Sequence, residues 1–324
     1  MKIGSLELKW GVALAPMAGY TDRAMRLVCH GEGAEYSVTE MVSAKAVVYK
    51  DKKTYSLARI RDDEGPVGIQ IFGSEPDVMA EAARILSNPE KDARPAIIDV
   101  NMGCPVKKIF SNGEGSALMR DPSLIEKIVA SVKKNTDLPV TVKLRLGITP
   151  DRLNVTECAR AAEAGGADAI CVHGRTTSQM YGGKADRKSI EIVKRALQIP
   201  LFANGDITCA HEAISMLNDT GADGIMIGRG AVGNPFIFRE IISALEGEPY
   251  TPPTGGERVE RSLYQLRVAI EDKGEAYAVP EARKQIAMYL KHFHGAAGLR
   301  ARINMATTYK EVEAVLTDGV SRER

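Results

Sequence analysis

The chain has 324 residues, 44% of them hydrophobic and 26% charged, with a formal net charge of +1. That length and apolar content support a substantial core, in one large domain or a large one with a small companion. The near-zero charge excludes a polyanion partner held by bulk electrostatics, so any nucleic-acid surface must be a local patch. Five cysteines, at positions 29, 104, 158, 171 and 209, form no CxxC pair and show no metal-ligand spacing. Reduced thiols in the cytoplasm are expected, without a disulfide framework or a bound metal. The N-terminal MKIGSLELKW lacks the apolar centre of a signal peptide, and no run of about 18 apolar residues suggests a membrane span.

From Gly11 to Gly228, short β-rich runs alternate with helical stretches. Strands are predicted at VALA (12–15), YSVTEMV (36–42), VGIQIF (67–72), AIIDV (96–100), VTVKLRL (140–146), AICVH (169–173), LFAN (201–204) and GIMIG (224–228). Helices are predicted between them, among others at PDVMAEAARILS (76–87), PSLIEKIVASVKKN (122–135) and VTECARAAEAG (155–165). Val78, Ala82, Ile85 and Leu86 fall at helical spacing, and Glu75-Pro76 and Asp121-Pro122 are helix starts. Eight such units over roughly 220 residues match a (β/α)₈ TIM barrel in count and length. A doubly wound sheet would carry G-x-G-x-x-G after its first strand, and that motif is absent.

Beyond Phe236 the β signal stops. EGEPYTPPTGGE (246–257) reads as a boundary. The rest is helical in pattern: RVERSLYQLRVAIEDKG, PEARKQIAMYLKHFHG and a last segment near 307–316. A barrel over 1–245 and a small all-helical domain over 253–324, packed on the barrel, are therefore expected.

Barrel enzymes carry their chemistry at the C-terminal ends of the strands. Those positions hold Pro16-Met17-Ala18-Gly19, Glu40, Gln70, Asn101 with Cys104, Lys143 with Arg145, His173 with Arg175, Asn204-Gly205-Asp206 and Gly228-Arg229-Gly230. So many amides, cations and glycine turns indicate a ligand site. NGDI after the seventh strand and GRGA after the eighth suit a phosphate bound on backbone N–H groups. Lys143 and His173 would face the same cavity, though a carboxylate-paired lysine and a core histidine are the plainer alternative. Arg145 suits a substrate group or a loop acid equally. Phosphate, amides and cations together suit a phosphorylated cofactor such as FMN. Cys104 differs from the other cysteines in following a strand end in a Gly-Cys-Pro loop; most free cysteines are buried and inert.

The motifs APMAGYTD (15–22), GIQIFG (68–73), DVNMGCPVKK (99–108), GSAL (115–118), VKLRLG (142–147), HGRT (173–176), NGDI (204–207) and IGRGA (227–231) occur in this order. With them the chain closely resembles the tRNA-dihydrouridine synthases over essentially its whole length, most nearly the bacterial B-type branch. SNGEGSAL (111–118) is one modest departure, less basic than in some relatives. The resemblance implies FMN reduced by NADPH or NADH, tRNA as partner, and reduction of the uracil C5–C6 double bond to 5,6-dihydrouridine. Hydride would pass from reduced FMN to C6 and a proton from Cys104 to C5. Position by position, it implies flavin contacts from Pro16, Met17, Ala18, Gln70, Lys143, His173, Asn204, Gly205, Asp206, Gly228 and Arg229. Asn101 and Arg145 would meet the base.

A base stacked in tRNA must be withdrawn before it can lie over a flavin, so a second grip on the RNA is needed. Arg283, Lys284, Lys291, Arg300 and Arg302 stand against only Glu281 between 281 and 302, with His292 and His294 among them. Lys284, Met288 and Lys291 share one face of a helix, and Ile286, Leu290 and Phe293 another. Lys284 and Lys291, with Lys107 and Lys108 beside Cys104, are the expected RNA contacts. Three rival readings remain: a flavin barrel acting on a free pyrimidine, a flavin-free lyase or isomerase barrel with Lys143 as Schiff-base amine, and an RNA-binding protein with a degenerate barrel. No obligate protein partner is evident.

Overall fold

The computed structural model describes residues 1–291 and 293–321. Eight parallel strands close into a barrel: β1 (Val12–Leu14), β2 (Tyr36–Val38), β3 (Val67–Phe72), β4 (Ile97–Met102), β5 (Val140–Leu144), β6 (Ala169–His173), β7 (Leu201–Asn204) and β8 (Gly224–Ile227). Each pairs with its sequence neighbour, and β1 pairs with β8, so no sheet edge is left. The expected (β/α)₈ architecture is thus present, with every strand starting in the segment predicted for it and β4 running two residues past its predicted end, to Met102.

Alternation along the strands makes the two cores. Outward residues such as Val12, Leu14, Ile69, Ile71, Val142, Val172, Ile225 and Ile227 pack on the surrounding helices. Inward Ala13, Ala15, Ala169 and Cys171 are small, and Tyr36, Phe202 and Met226 fill the interior between them. The rings of Tyr36 and Phe202 lie 6.5 Å apart, tilted at 35°. A hairpin of Lys2–Ile3 and Leu6–Glu7 plugs the bottom with Ile3 and Leu8. It precedes the first predicted strand and its pattern is too short to read in sequence.

Outer helices include α1 (Arg23–Gly31), α2 (Ala44–Val48), α3 (Pro76–Ser87), α4 (Pro122–Lys134), α5 (Val155–Ala164), α6 (Arg187–Ala196), α7 (Ala210–Thr220) and α8 (Ile237–Glu246). Asp121 caps α4 by accepting from the Leu124 N–H, which is why Asp-Pro opens it. The predicted strand 36–42 is broken. Only Tyr36–Val38 joins the closed ladder, and Val42–Ser43 pairs further along β3.

The C-terminal part holds four helices rather than three: α9 (Gly255–Lys273), α10 (Glu275–Tyr289), α11 (Ala296–Met305) and α12 (Tyr309–Ser321). Pro280, which would have opened a helix, lies inside α10. Around Gly295, at φ +69°, the chain turns into α11. Leu266, Ile286, Leu290, Phe293, Leu299, Ile303 and Leu316 form a separate core. The division of faces read from the sequence holds: Ile286, Leu290 and Phe293 are buried there, and Lys284, Met288 and Lys291 are exposed.

These helices dock on α1. Ala24 meets Val268, Ala269 and Ala278 in a small apolar contact. Ion pairs surround it: Arg261–Glu32 at 2.6 Å, Lys273–Asp22 at 2.8 Å and Arg23–Asp272 at 3.3 Å. The Gln265 amide donates to Gln285, Tyr289 donates to Gln265, and Gln285 donates to the Tyr20 carbonyl at the end of β1. The second core is therefore tied directly to a loop at the barrel mouth.

The same helix α1 carries a buried charge pair. Arg26 donates to both oxygens of Glu64, at 2.7 and 3.0 Å, and to the carbonyls of Thr21 and Arg59. Both side chains are almost wholly inaccessible. Removing one partner would strand the other charge, so Arg26→Met is expected to destabilise the protein by roughly 3–5 kcal/mol. Urea unfolding measures this, and a change below about 1 kcal/mol would contradict it.

Candidate active site

The mouth of the barrel is wired by side chains of successive strands. In the lower layer, Gln70 of β3, Asp99 of β4 and Thr141 of β5 are register partners. The Thr141 hydroxyl donates to Asp99 Oδ1, and Gln70 Nε2 donates to Asp99 Oδ2 at 2.5 Å. One layer up, Asn101 Nδ2 donates to Gln70 Oε1 at 2.8 Å. Asn101 Oδ1 in turn accepts the main-chain N–H of Gly103 at 3.2 Å and of Cys104 at 2.9 Å. Burial raises the Asp99 carboxyl to about 6, against the hydrogen bonds of Thr141 and Gln70 and the charge of Lys143.

The Cys104 main chain is held at its other end by the GSAL segment. Its carbonyl accepts from the Ser116 N–H at 3.1 Å and the Ser116 hydroxyl at 2.9 Å. Gly115 has φ +60°, and a Cβ there would stand 2.9 Å from the same carbonyl. Only glycine allows this approach. The Cys104 side chain is 9% exposed. Burial raises its pKa, outweighing the Val106 N–H and the Arg145 charge, which lower it. At neutral pH it is a fixed, protonated thiol. Cys29, Cys158 and Cys171 are buried, as the plain reading has it, and Cys209 is partly exposed.

Arg145 follows β5 and lies behind this loop. Its Nε donates to the Gly103 carbonyl at 2.8 Å, and its Nη1 to the carbonyls of Thr176 and Met180. The loop acid weighed as its partner is replaced by these three carbonyls. Lys143 Nζ donates to Asn204 Oδ1 at 3.0 Å, and Asn204 Nδ2 donates to the Met226 carbonyl. The acid expected beside Lys143 in the plain reading is thus an amide of β7.

His173 is 9% exposed and lies beside Arg175. Arg175 Nη1 stands 3.4 Å from His173 Nε2. A guanidinium only donates, so Nε2 accepts and the ring proton resides on Nδ1. Burial, then Lys143, Arg145, Arg175 and Arg229, push its pKa down to about 2. The ring is thus a neutral imidazole beside the Lys143 cation.

Arg175 had been noted at a strand end without a role. Its Nη2 donates to both oxygens of Asp206 at 2.8 Å and to the Gly183 carbonyl, and its Nε donates to the Gly182 carbonyl. Asp206, at φ +51°, also accepts the Ala185 N–H. Its carboxylate therefore organises the loop after β6, which leaves its main chain for any ligand. Arg229 is largely exposed, 3.6 Å from Asp206 and stacked over the Tyr181 ring at 4.9 Å. The loops after β7 and β8 lie in contact: a Cβ at Gly230 would stand 2.1 Å from the Ile207 carbonyl. At Gly228 it would meet nothing nearer than 3.5 Å, so room remains above this turn.

Two expected ligand contacts also make bonds within the protein. The Asn101 amide bonds to Gln70, to Met41 Sδ at 3.5 Å and to the Cys104 loop, which it holds in place. Met17 donates its N–H to Thr21 Oγ1 and lends its carbonyl to Tyr20 and Thr21, which leaves Pro16 and Ala18 the freer neighbours. Gln70 is 1% exposed with both amide ends engaged, and one N–H remains. Sequence reasoning missed Asp99 and Thr141. The signal was an acid inside an otherwise apolar strand, IIDV, opposite a threonine.

Among the expected basic contacts, Lys107 and Lys108 are exposed at the start of a short helix, Lys107–Ser111, beside Cys104. Lys284 is exposed and extends over the Tyr20 ring at 4.5 Å. Lys291 is exposed, Arg283 donates to the Ala306 carbonyl, and Arg302 pairs with Asp318. His292 lies outside the described residues. Among the described residues no cluster of His, Cys, Asp and Glu could hold a metal, and no helix is long and apolar enough to cross a membrane.

Comparison with known proteins fits these motifs. A family described as dihydrouridine synthase matches residues 13–323. The tRNA-dihydrouridine synthase B of Yersinia pestis is 42% identical over 293 residues, 90% of each chain. That of Pseudomonas putida is 41% identical over 306 residues, covering 94% of this chain and 89% of the relative. A probable tRNA-dihydrouridine synthase of Rickettsia conorii is 39% identical over 307 residues, covering 94% and 92%. Among solved structures, histamine dehydrogenase from Rhizobium sp. 4-9 aligns with a TM-score of 0.56 at 14% identity, over 82% of this chain and 50% of that one. This last likeness concerns the fold alone.

The depressed pKa of His173 has a testable sign. An ordinary histidine gains its proton over about pH 8 to 5, whereas this ring should stay neutral throughout. Histidine-selective ¹⁵N NMR is expected to show Nδ1 protonated and Nε2 bare across that range, and titration near pH 6.5 would contradict it. Because the folded pKa lies below the unfolded one, this group lowers stability progressively as pH falls through the unfolded value.

Proposed function

This chain belongs to the dihydrouridine synthase family, within its bacterial B-type branch, and on that premise we propose that it reduces uridines in tRNA to 5,6-dihydrouridine with bound FMN, NADPH or NADH as reductant, and Cys104 as acid. The observation that carries the reading is the Cys104 loop: a protonated thiol fixed at both main-chain ends, at the mouth of a barrel, among cations and amides.

The residues fit a flavin. Lys143 and the Nδ1–H of His173 offer a cation and a neutral donor, and Gln70 keeps one N–H. Pro16, Met17 and Ala18 provide a wall at the end of β1. Asn204, Gly205, Asp206, Gly228 and Arg229 surround the turn where an exposed guanidinium suits a phosphate. When bound, reduced flavin supplies the two electrons and the hydrogen that go to uracil C6.

The remaining work belongs to side chains of this chain. Protonation at C5 needs an acid that keeps its proton in water yet yields it to a carbanion. A thiol raised by burial meets that need. Charge gathering on the uracil carbonyl oxygen needs donors already in place. Lys143 and Arg145 are suited to it, and among the described residues Arg145 Nη2 makes no hydrogen bond. Asn101 acts one step removed, by fixing the loop.

Relatives named for tRNA favour that substrate over a free pyrimidine. The helical domain supports the same choice, since α10 lies against the β1 loop through Gln285 and Lys284. Lys284 and Lys291, with Lys107 and Lys108, would hold phosphates while the base leaves its stack. A tRNA substrate also implies the cytoplasm.

Purified protein should be yellow. Cys104→Ala is expected to keep its flavin and its reduction by NADPH while losing at least about a hundredfold in the tRNA step. Retained turnover would remove Cys104 from the acid role, and colourless protein after gentle purification would remove the cofactor.

Neutralising Lys284 and Lys291 together to Gln should weaken tRNA binding most at low salt. The slope of log K against log salt should fall by about 0.7–0.9 per lost contact. An unchanged slope would take the helical face out of the RNA interface.

A further inference from the structure

Three side chains, Asp99, Gln70 and Asn101, join the floor of the barrel to the reactive loop in one direction only. Asp99, as a carboxylate, solely accepts; the Gly103 and Cys104 N–H groups solely donate. Between them, Gln70 and Asn101 each have one accepting and one donating end. An amide turned over anywhere in this run would set two donors or two acceptors face to face. The fixed ends agree on a single arrangement, and all three side chains are buried. In so dry a place a mismatched pair has no water to relieve it.

We propose that Asp99 is a positioning residue for the reduction: it gives Gln70 the acceptor that ends this hydrogen-bond run and thereby fixes the Cys104 loop two strand layers above it. The proposal rests on the reading of Cys104 as the acid. Asp99 itself makes no hydrogen bond to Cys104 or Asn101; Gln70 stands between. What Gln70 requires is one donor and one acceptor across its two ends. Which end carries the carboxylate is open to exchange.

That exchange is the test. Asn101→Asp retains the acceptor for the loop N–H groups but sets a second acceptor against Gln70. It should speed hydrogen exchange in the peptide spanning 101–110 and slow single-turnover flavin reoxidation by tRNA roughly tenfold or more. Asp99→Asn alone should change either by less than about threefold, because the Thr141 hydroxyl can turn to accept. Adding Asp99→Asn to Asn101→Asp supplies Gln70 with a donor below and an acceptor above, so most of the loss should return. Asp99→Leu on the same background removes the same charge but supplies no donor, and should not restore it.

Equal rescue by Leu, or none by Asn, overturns the proposal. Exchange rates that follow the predicted order while tRNA turnover does not would uphold the run and overturn the acid role of Cys104 instead. Flavin reduction by NADPH serves as the control. It should vary little between Asn101→Asp and its Asp99→Asn rescue, and a parallel collapse of both half-reactions would overturn a role confined to the loop.

Discussion

A carboxylate inside a closed barrel must be hydrogen-bonded, and in this protein that requirement sets the geometry of the site. The interior is narrow, lined by alanines and filled by Tyr36, Phe202 and Met226, so water has little place in it. Asp99 is satisfied by Thr141 on one side and Gln70 on the other. Gln70 then has one orientation, Asn101 follows, and the Gly103-Cys104 main chain follows that. A thiol on a loop would ordinarily be the most mobile part of such a barrel. Here it is held by strand side chains below and by Ser116 beside it.

The opposite half of the mouth works by charge compensation. Arg175, Arg145, Lys143 and Arg229 converge on one small region, and unopposed they would repel one another. Asp206 meets Arg175 and Arg229, while loop carbonyls take up the guanidinium donors of Arg175 and Arg145. His173, surrounded by these cations and buried, is left neutral. The result is a cation-rich barrel mouth with a neutral imidazole among the cations, suited to an anionic, electron-rich ligand. The helical domain closes the same rim. Its contacts reach Tyr20 and Asp22, in the loop between β1 and α1, so the proposed RNA grip and the proposed flavin wall share a loop.

Much of this was legible in the chain. Each barrel strand shows its apolar run because a parallel strand is buried on both faces, and the runs repeat eight times before Phe236. The buried and exposed sides of α10 and the turn after it were readable from spacing alone, since Ile286, Leu290 and Phe293 had to turn inward together. Motif order pointed to the family. Some elements were less visible: the N-terminal hairpin and Lys107–Ser111 have too few residues for a period to emerge, α11 lacks an amphipathic one, and their stability comes from what they pack against.

What the sequence by itself determined was the list of polar residues at the strand ends and the strand that carries each. It left undecided which of them a ligand can reach. Asn101, Gln70 and Asp206 stand at or near strand ends, yet most of their hydrogen-bonding capacity is taken by other residues of the chain, many of them far away in sequence. Cys104, Lys143 and Arg229 keep a proton, a charge or an exposed face for something else. Hydrogen-bond partners across a barrel depend on register and closure, and those arise only when β8 meets β1. The tertiary structure therefore decided which residues support the site and which remain for its chemistry.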